Sequence, residues 1–125
     1  MEGFKVAIKE TSGTLSPRER IRMKDRSNAI KLDIACDADE HLIITPIGYA
    51  VLAIHNEKSD NKDYENYVIE DASGNKYVTG SPSFWSSFME IWEEMAEVNE
   101  EYAIEVYKLD SKNYKGKQFL TCSIL

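Results

Sequence analysis

Residues 81–98 read SPSFWSSFMEIWEEMAEV, and the rest of the chain is organised around them. Pro82 suits the first position of a helix, where its missing N–H would have no partner anyway. The Ser81 hydroxyl before it can accept from a backbone N–H of the first turn. From there Trp85, Phe88, Trp92 and Met95 recur at steps of three and four, with Phe84, Ile91 and Val98 widening the stripe. The spacing predicts one amphipathic helix over Ser81 to Val98. Its aromatic face is read as core, because helical spacing in a packed element produces such a stripe without any ligand. Glu90, Glu93, Glu94 and Glu97 fall mostly on the far side, which makes that face acidic, solvated and unsuited to phosphate.

Beyond the helix, Ala103 to Leu109 alternates, with Ile104 and Val106 facing one way and Glu105, Tyr107 and Leu109 the other. The loop Asp110 to Gly116, DSKNYKG, leads into Lys117 to Leu125, where Leu120, Cys122 and Ile124 oppose Phe119, Thr121 and Ser123. A terminal hairpin is expected. Before the helix, Tyr67 to Asp71 and Lys76 to Thr79 flank Ala72-Ser73-Gly74-Asn75, whose glycine supplies the positive φ of a tight turn. Upstream of that hairpin, Glu57 to Glu65 is a polar loop rich in turn formers. Leu42 to His55 is almost continuously apolar and β-branched at Ile43, Ile44, Thr45 and Val51. Pro46 and Gly48 predict a bend where this long strand passes from one sheet layer to another.

At the start of the chain, Phe4 to Ile8 alternates as a strand or extended arm. Ser16-Pro17-Arg18-Glu19 is a capping box with proline at the first helical position, so a short helix should run to about Lys24 or Asp25. Arg18, Arg20, Arg22, Lys24 and Arg26 make this segment cationic. Ile30, Leu32 and Ile34 predict a further strand. Cys36, Asp37, Asp39, Glu40 and His41 are metal-ligand types at no recognised metal spacing, and are read as a charged surface loop with an exposed histidine.

A chain of 125 residues, 42% of them hydrophobic, is read as one domain: an N-terminal basic segment and strand over residues 1–41, then a main body over 42–125. MEGFKVAIKE contains no apolar leader core, and no stretch approaches the roughly 18 apolar residues of a membrane span, so a soluble cytoplasmic protein that does not insert in membranes is expected. Cys36 and Cys122, far apart and outside any CxxC, are read as buried thiols. The net charge of −7 is unevenly spread. Residues 1–31 hold eight Lys/Arg against four Asp/Glu, residues 32–107 three against seventeen, and residues 108–125 four against one. Basic ends on an acidic middle can present a positive surface on an acidic protein.

Catalytic patterns are missing: there is no glycine-rich phosphate loop, no GxSxG and no HExxH. The 110–116 loop does not suit calcium, because Lys112 and Tyr114 occupy positions that need oxygen ligands. His41 and His55 have no neighbouring sequence partner that marks a nucleophile or base. Neither an enzyme nor a cofactor is expected.

The order β-β-β-α-β-β is that of an OB-fold barrel, mainly β with one long helix, carrying an extra N-terminal basic helix and strand; an α+β sandwich is the alternative. In an OB-fold the face of strands two and three and two loops, here 57–65 and 110–116, hold oligonucleotides or sugars. The first of these loops carries Glu57, Asp60, Asp63 and Glu65 against Lys58 and Lys62, which is wrong for a phosphate cradle.

Tyr77-Val78-Thr79-Gly80-Ser81 running into Phe84-Trp85, together with Ser111-Lys112-Asn113-Tyr114-Lys115-Gly116-Lys117, Phe119 and Thr121-Cys122-Ser123, resembles small single-stranded DNA-binding proteins encoded by bacteriophages and prophages. The resemblance implies an OB fold, binding of single strands with little sequence preference, and a role in phage DNA replication or recombination without catalysis. It leaves homo-oligomers and complexes with replication or recombination proteins open.

Single strands are held by positive grooves and by aromatic faces on which bases stack. Both occur in the terminal hairpin, where Lys108, Lys112, Lys115 and Lys117 supply charge and Tyr107, Tyr114 and Phe119 supply rings. Tyr114 is the leading stacker, since a loop tyrosine has less core to join. Tyr67 and Tyr77 on the earlier hairpin, and Arg18, Arg20, Arg22 and Lys24 near the N-terminus, complete the expected site. A different class of function competes: an acidic protein-binding module, such as a phage-encoded inhibitor of a host enzyme, whose central acids imitate nucleic-acid phosphates.

Overall fold

The computed structural model describes residues 3–37, 40–111 and 116–125. In chain order the elements are β1 (Phe4–Thr11), α1 (Pro17–Lys24), β2 (Ile30–Lys31), α2 (Leu32–Ala35), β3 (Leu42–Ile44), β4 (Pro46–Asn56), β5 (Asp63–Asp71), β6 (Lys76–Thr79), α3 (Pro82–Met95), β7 (Ile104–Asp110) and β8 (Gln118–Ile124). The strands make two sheets, ordered β1-β4-β5-β6-β2 and β3-β7-β8, and the fold is β-rich α+β. Among the described residues they close no barrel. Tertiary packing divides the chain into two compact units that interleave in sequence, Met1–Ile30 with Ile47–Gly80 and Lys31–Pro46 with Ser81–Leu125. No helix of the described residues is long and apolar enough to cross a membrane.

In the first unit the capping box forms as the sequence predicts. The Ser16 hydroxyl accepts from the Glu19 N–H at 3.2 Å and the Glu19 carboxylate accepts from the Ser16 N–H at 3.1 Å. The anchored helix sets Met23 against Ala50, Leu52 and Ile54 of β4, Val68 of β5 and Val78 of β6, with Phe4, Val6 and Ile8 of β1 closing the side. Antiparallel pairing of Val6 with Ile54 and Ile8 with Leu52 puts these β1 side chains on that face. The β5–β6 hairpin turns as expected through Gly74 at φ 88°. The Asp71 carboxylate ties the turn down by accepting from the N–H groups of Ser73 (3.0 Å) and Asn75 (2.8 Å) and from the Tyr77 hydroxyl (2.9 Å). Burial pushes the Asp71 carboxyl up, but the donors from Asn75, Tyr77 and Ser73 outweigh it and hold the group below its ordinary value.

In the second unit Ser81 caps α3 by accepting from the Phe84 N–H at 3.2 Å. The helix ends at Met95, short of the expected Val98, which is exposed. Its buried stripe is also narrower than periodicity predicts. Phe84 and Phe88 are fully buried, whereas Trp85, Ile91, Trp92 and Met95 are half-buried. The helix is fastened to β8 through Ser83, whose hydroxyl donates to the Leu120 carbonyl at 2.9 Å, and through the Ser87 and Thr121 hydroxyls, 3.0 Å apart.

The predicted Ile30–Ile34 strand is corrected: only Ile30 and Lys31 are extended, and the chain turns helical over Leu32–Ala35. Leu32 and Cys36, four residues apart, are both fully buried, while Ile30 and Ile34 are exposed. A helical pair at i and i+4 therefore prevails over apparent alternation. The long strand from Leu42 does break, at Thr45, with β3 in one sheet and β4 in the other. Cys36 and Cys122 are buried thiols, as read; burial pushes the Cys122 thiol up to about 12 and raises Cys36 as well.

Candidate nucleic-acid interface

The β3-β7-β8 sheet has two unlike faces. One carries Ile44, Ile104, Val106, Leu120 and Cys122, all buried. On the other, register aligns Ile43 with Glu105, Tyr107 with Thr121 and Leu109 with Phe119. This second face is open at Ile43 (62% exposed), Leu109 (46%) and Phe119 (38%), while Thr121 on it is buried and bonded to Ser87 of α3. The plane of Tyr107 is held from two sides. Its ring stacks on His41 at 5.2 Å and 18°, and its hydroxyl lies 2.6 Å from that of Ser123. His41 is fixed in turn by Nδ1, 2.8 Å from the Glu105 carboxylate; since a carboxylate only accepts, Nδ1 carries the proton. A ring whose rotamer is already set loses little entropy when a flat partner settles on its surroundings.

The expected site residues divide sharply. Tyr107 and Phe119 share the open face, with Lys117 exposed beside the start of β8. The Lys117 carbonyl accepts from the Ser111 N–H at 2.8 Å, which pins the base of the connecting loop. Lys112, Tyr114 and Lys115 lie outside the described residues. Lys108 belongs to the opposite face by register, donates to the Asp33 carbonyl at 2.8 Å and sits 3.8 Å from the Asp37 carboxylate. The expectation that it holds phosphate is corrected, because its ammonium is already engaged by α2 and the residues after it.

Tyr67 and Tyr77 are also corrected as stackers, being only 8% and 5% exposed. The Tyr77 hydroxyl donates to Asp71, and burial, with that carboxylate, pushes it up to about 12. The Tyr67 hydroxyl donates to Glu65 at 3.3 Å. A buried ring has no face to offer a base.

Arg18, Arg20, Arg22 and Lys24 are exposed on α1 of the first unit, not in the unit that holds the open sheet face. Arg22 pairs with Glu70 at 2.9 Å; Arg18, Arg20 and Lys24 make no ion pair among the described residues. Several acids of the loop after β4 and of the start of β5 are ion-paired. The His55 ring lies between two carboxylates, Nδ1 2.7 Å from Asp63 and Nε2 2.6 Å from Glu57, while Lys62 pairs with Glu57 and Lys9 with Glu65. Hydrogen bonds to Asp63 and then Glu57 raise the His55 pKa. No three His, Cys, Asp or Glu side chains of the described residues are set to hold a metal ion.

Sequence reasoning placed Glu105, Tyr107 and Leu109 on one face but missed Ile43 and His41 as their neighbours. No local signal marks them, since they join the face only through the long-range pairing of β3 with β7. No protein family, no curated protein and no solved structure matches this chain.

Proposed function

We propose that the protein binds single-stranded DNA with little sequence preference and acts in phage DNA replication or recombination. Bases lie on the open face of the β3-β7-β8 sheet, against Phe119 and the pre-set His41–Tyr107 pair, and phosphates are held by the lysines of the loop entering β8. The observation that carries this reading is the exposure of Phe119 on the same face as Tyr107, two residues after the exposed Lys117. Base–aromatic stacking contributes roughly 1 to 3 kcal/mol per base, whatever the base, so two rings suffice for affinity without sequence readout. An OB-type architecture draws support from the element order and from the stretch 42–56, whose β3 pairs with β7 and whose β4 lies beside β5.

Fluorescence anisotropy of labelled oligothymidine at several salt concentrations tests the proposal. Replacing Lys112, Lys115 and Lys117 together by Gln should flatten the slope of log affinity against log salt by up to about 2, from three phosphate contacts at about 0.7 each. Tyr114→Ala and Phe119→Ala should weaken binding with little change in slope, because stacking releases few ions. Folded variants that bind like the parent would remove this face from the site. A parent that does not bind at low salt, yet forms a stable complex with a host nuclease or polymerase, would establish the acidic, protein-binding reading instead.

A further inference from the structure

The outward side of α3 joins an apolar groove to carboxylates that have no counter-charge among the described residues. Ile91 and Met95, one helical turn apart, combine with Ile124 near the end of β8 to line a groove of about 270 Å³, whose other lining residues among those described are Glu90 and Glu94. Ile124 is 47% exposed, and Ile91 and Met95 are half-buried. Glu90, Glu93 and Glu94 are exposed and make no ion pair or hydrogen bond through their side chains among the described residues. The helix beneath is a fixed platform, since Phe84 and Phe88 are fully buried and Ser83 and Ser87 hold it to β8.

Charge decides among occupants. Nucleic acid and anionic lipid are repelled by the glutamates. A second copy of the chain docking the same face by two-fold symmetry would set glutamates against glutamates. A cationic partner with apolar anchors satisfies both parts of the surface at once: the anchors leave water in the groove, and the flanking ammonium or guanidinium groups meet the free carboxylates.

We propose that this groove docks a basic amphipathic helix of a partner protein, its apolar side chains entering between Ile91, Met95 and Ile124 and its lysines or arginines lying on Glu90 and Glu94. None of these residues belongs to the open face of the β3-β7-β8 sheet, and Ile124 has the opposite register from Phe119. The two surfaces therefore stand or fall separately.

The probe is a labelled synthetic peptide with leucines at helical spacing and lysines elsewhere, paired with a control peptide of equal charge in which serine replaces leucine. The full chain should bind the leucine peptide at least about tenfold more tightly than the control. Ile124→Ser, at an exposed position, and the double change Glu90→Gln/Glu94→Gln, on the solvated side of α3, should each weaken the leucine peptide by about tenfold while leaving oligothymidine binding unchanged. Amide shifts on peptide addition should centre on Ile91, Met95 and Ile124. Equal binding of both peptides, binding indifferent to both variants, or shifts centred elsewhere would overturn the proposal. So would sedimentation showing that Ile124→Ser dissociates an oligomer, since the groove would then be covered by another copy of the chain.

Discussion

In the β5–β6 hairpin, Tyr67 and Tyr77 lie under cover with their hydroxyls on Glu65 and Asp71; in the β7–β8 hairpin, Phe119 is open to solvent beside a half-buried Tyr107. Both hairpins alternate in sequence, and in both the register sets the aromatic side chains on one face. Alternation states which side chains travel together; it does not state whether anything covers them. β5 is an inner strand of a five-stranded sheet whose Val68 face is packed beneath α1, and its Tyr67–Ile69–Tyr77 face is buried too. On the three-stranded sheet, one face stays open at Ile43, Leu109 and Phe119, although α3 covers its Thr121. A ring on an inner strand buried on both faces serves stability, and a ring on an uncovered face remains available to a ligand.

The largest test of this difference is truncation. Tyr77→Ala should cost about 3 to 5 kcal/mol, the range for deleting a buried aromatic ring, whereas Phe119→Ala should stay within about 0.5 kcal/mol of the parent. Urea denaturation of the two proteins reads both values. Equal losses would erase the distinction between the hairpins. In oligothymidine binding the order should reverse, with Phe119→Ala losing roughly 1 to 3 kcal/mol and Tyr77→Phe losing nothing.

A smaller effect sharpens the role of the covered tyrosine. Tyr77→Phe keeps the ring but removes the donor to a buried carboxylate, and should cost about 1 to 3 kcal/mol. The Asp71 carboxyl is held below its ordinary 3.8, so its contribution is present above that value and is lost as pH falls through the folded pKa. In Tyr77→Phe less remains to be lost, and stability should fall less steeply on the acid side. An unchanged acid limb would show that the turn N–H groups alone hold the carboxylate.

The smallest effect distinguishes the two loops. The loop after β4 is ion-paired within itself through His55, whose pKa is raised by Asp63 and then Glu57. A raised histidine stabilises fully below its unfolded value near 6.5 and loses that contribution as pH rises through the higher folded value. The His55 imidazole should titrate above 6.5 by NMR in the parent, and Asp63→Asn should lower the midpoint. A parent midpoint at or below 6.5 would mean that the two carboxylates do not clamp the ring. The loop would then be free to meet a ligand as the β7–β8 loop is expected to.

Much of the fold was legible without coordinates because its signals are local. Ser16 with Glu19, Ser81 with Pro82, the three-and-four spacing from Trp85 to Met95, and Gly74 between two alternating runs each act within a few residues, so α1, α3 and both hairpins follow from the chain itself. The bend near Pro46 belongs with them. What tertiary structure alone decided depends on segments far apart. His41 and Glu105 are 64 residues apart and Lys108 and Asp33 are 75 apart, yet the first pair holds the His41 ring that stacks on Tyr107 and the second engages the Lys108 ammonium. Ile30 to Ile34 alternated in sequence but gave way to a helical turn, because burying Leu32 and Cys36 together was worth more than extending the strand. Periodicity assigns side chains to faces, but closing long loops and covering one face rather than another decides which side chains meet solvent, and that requires the whole fold.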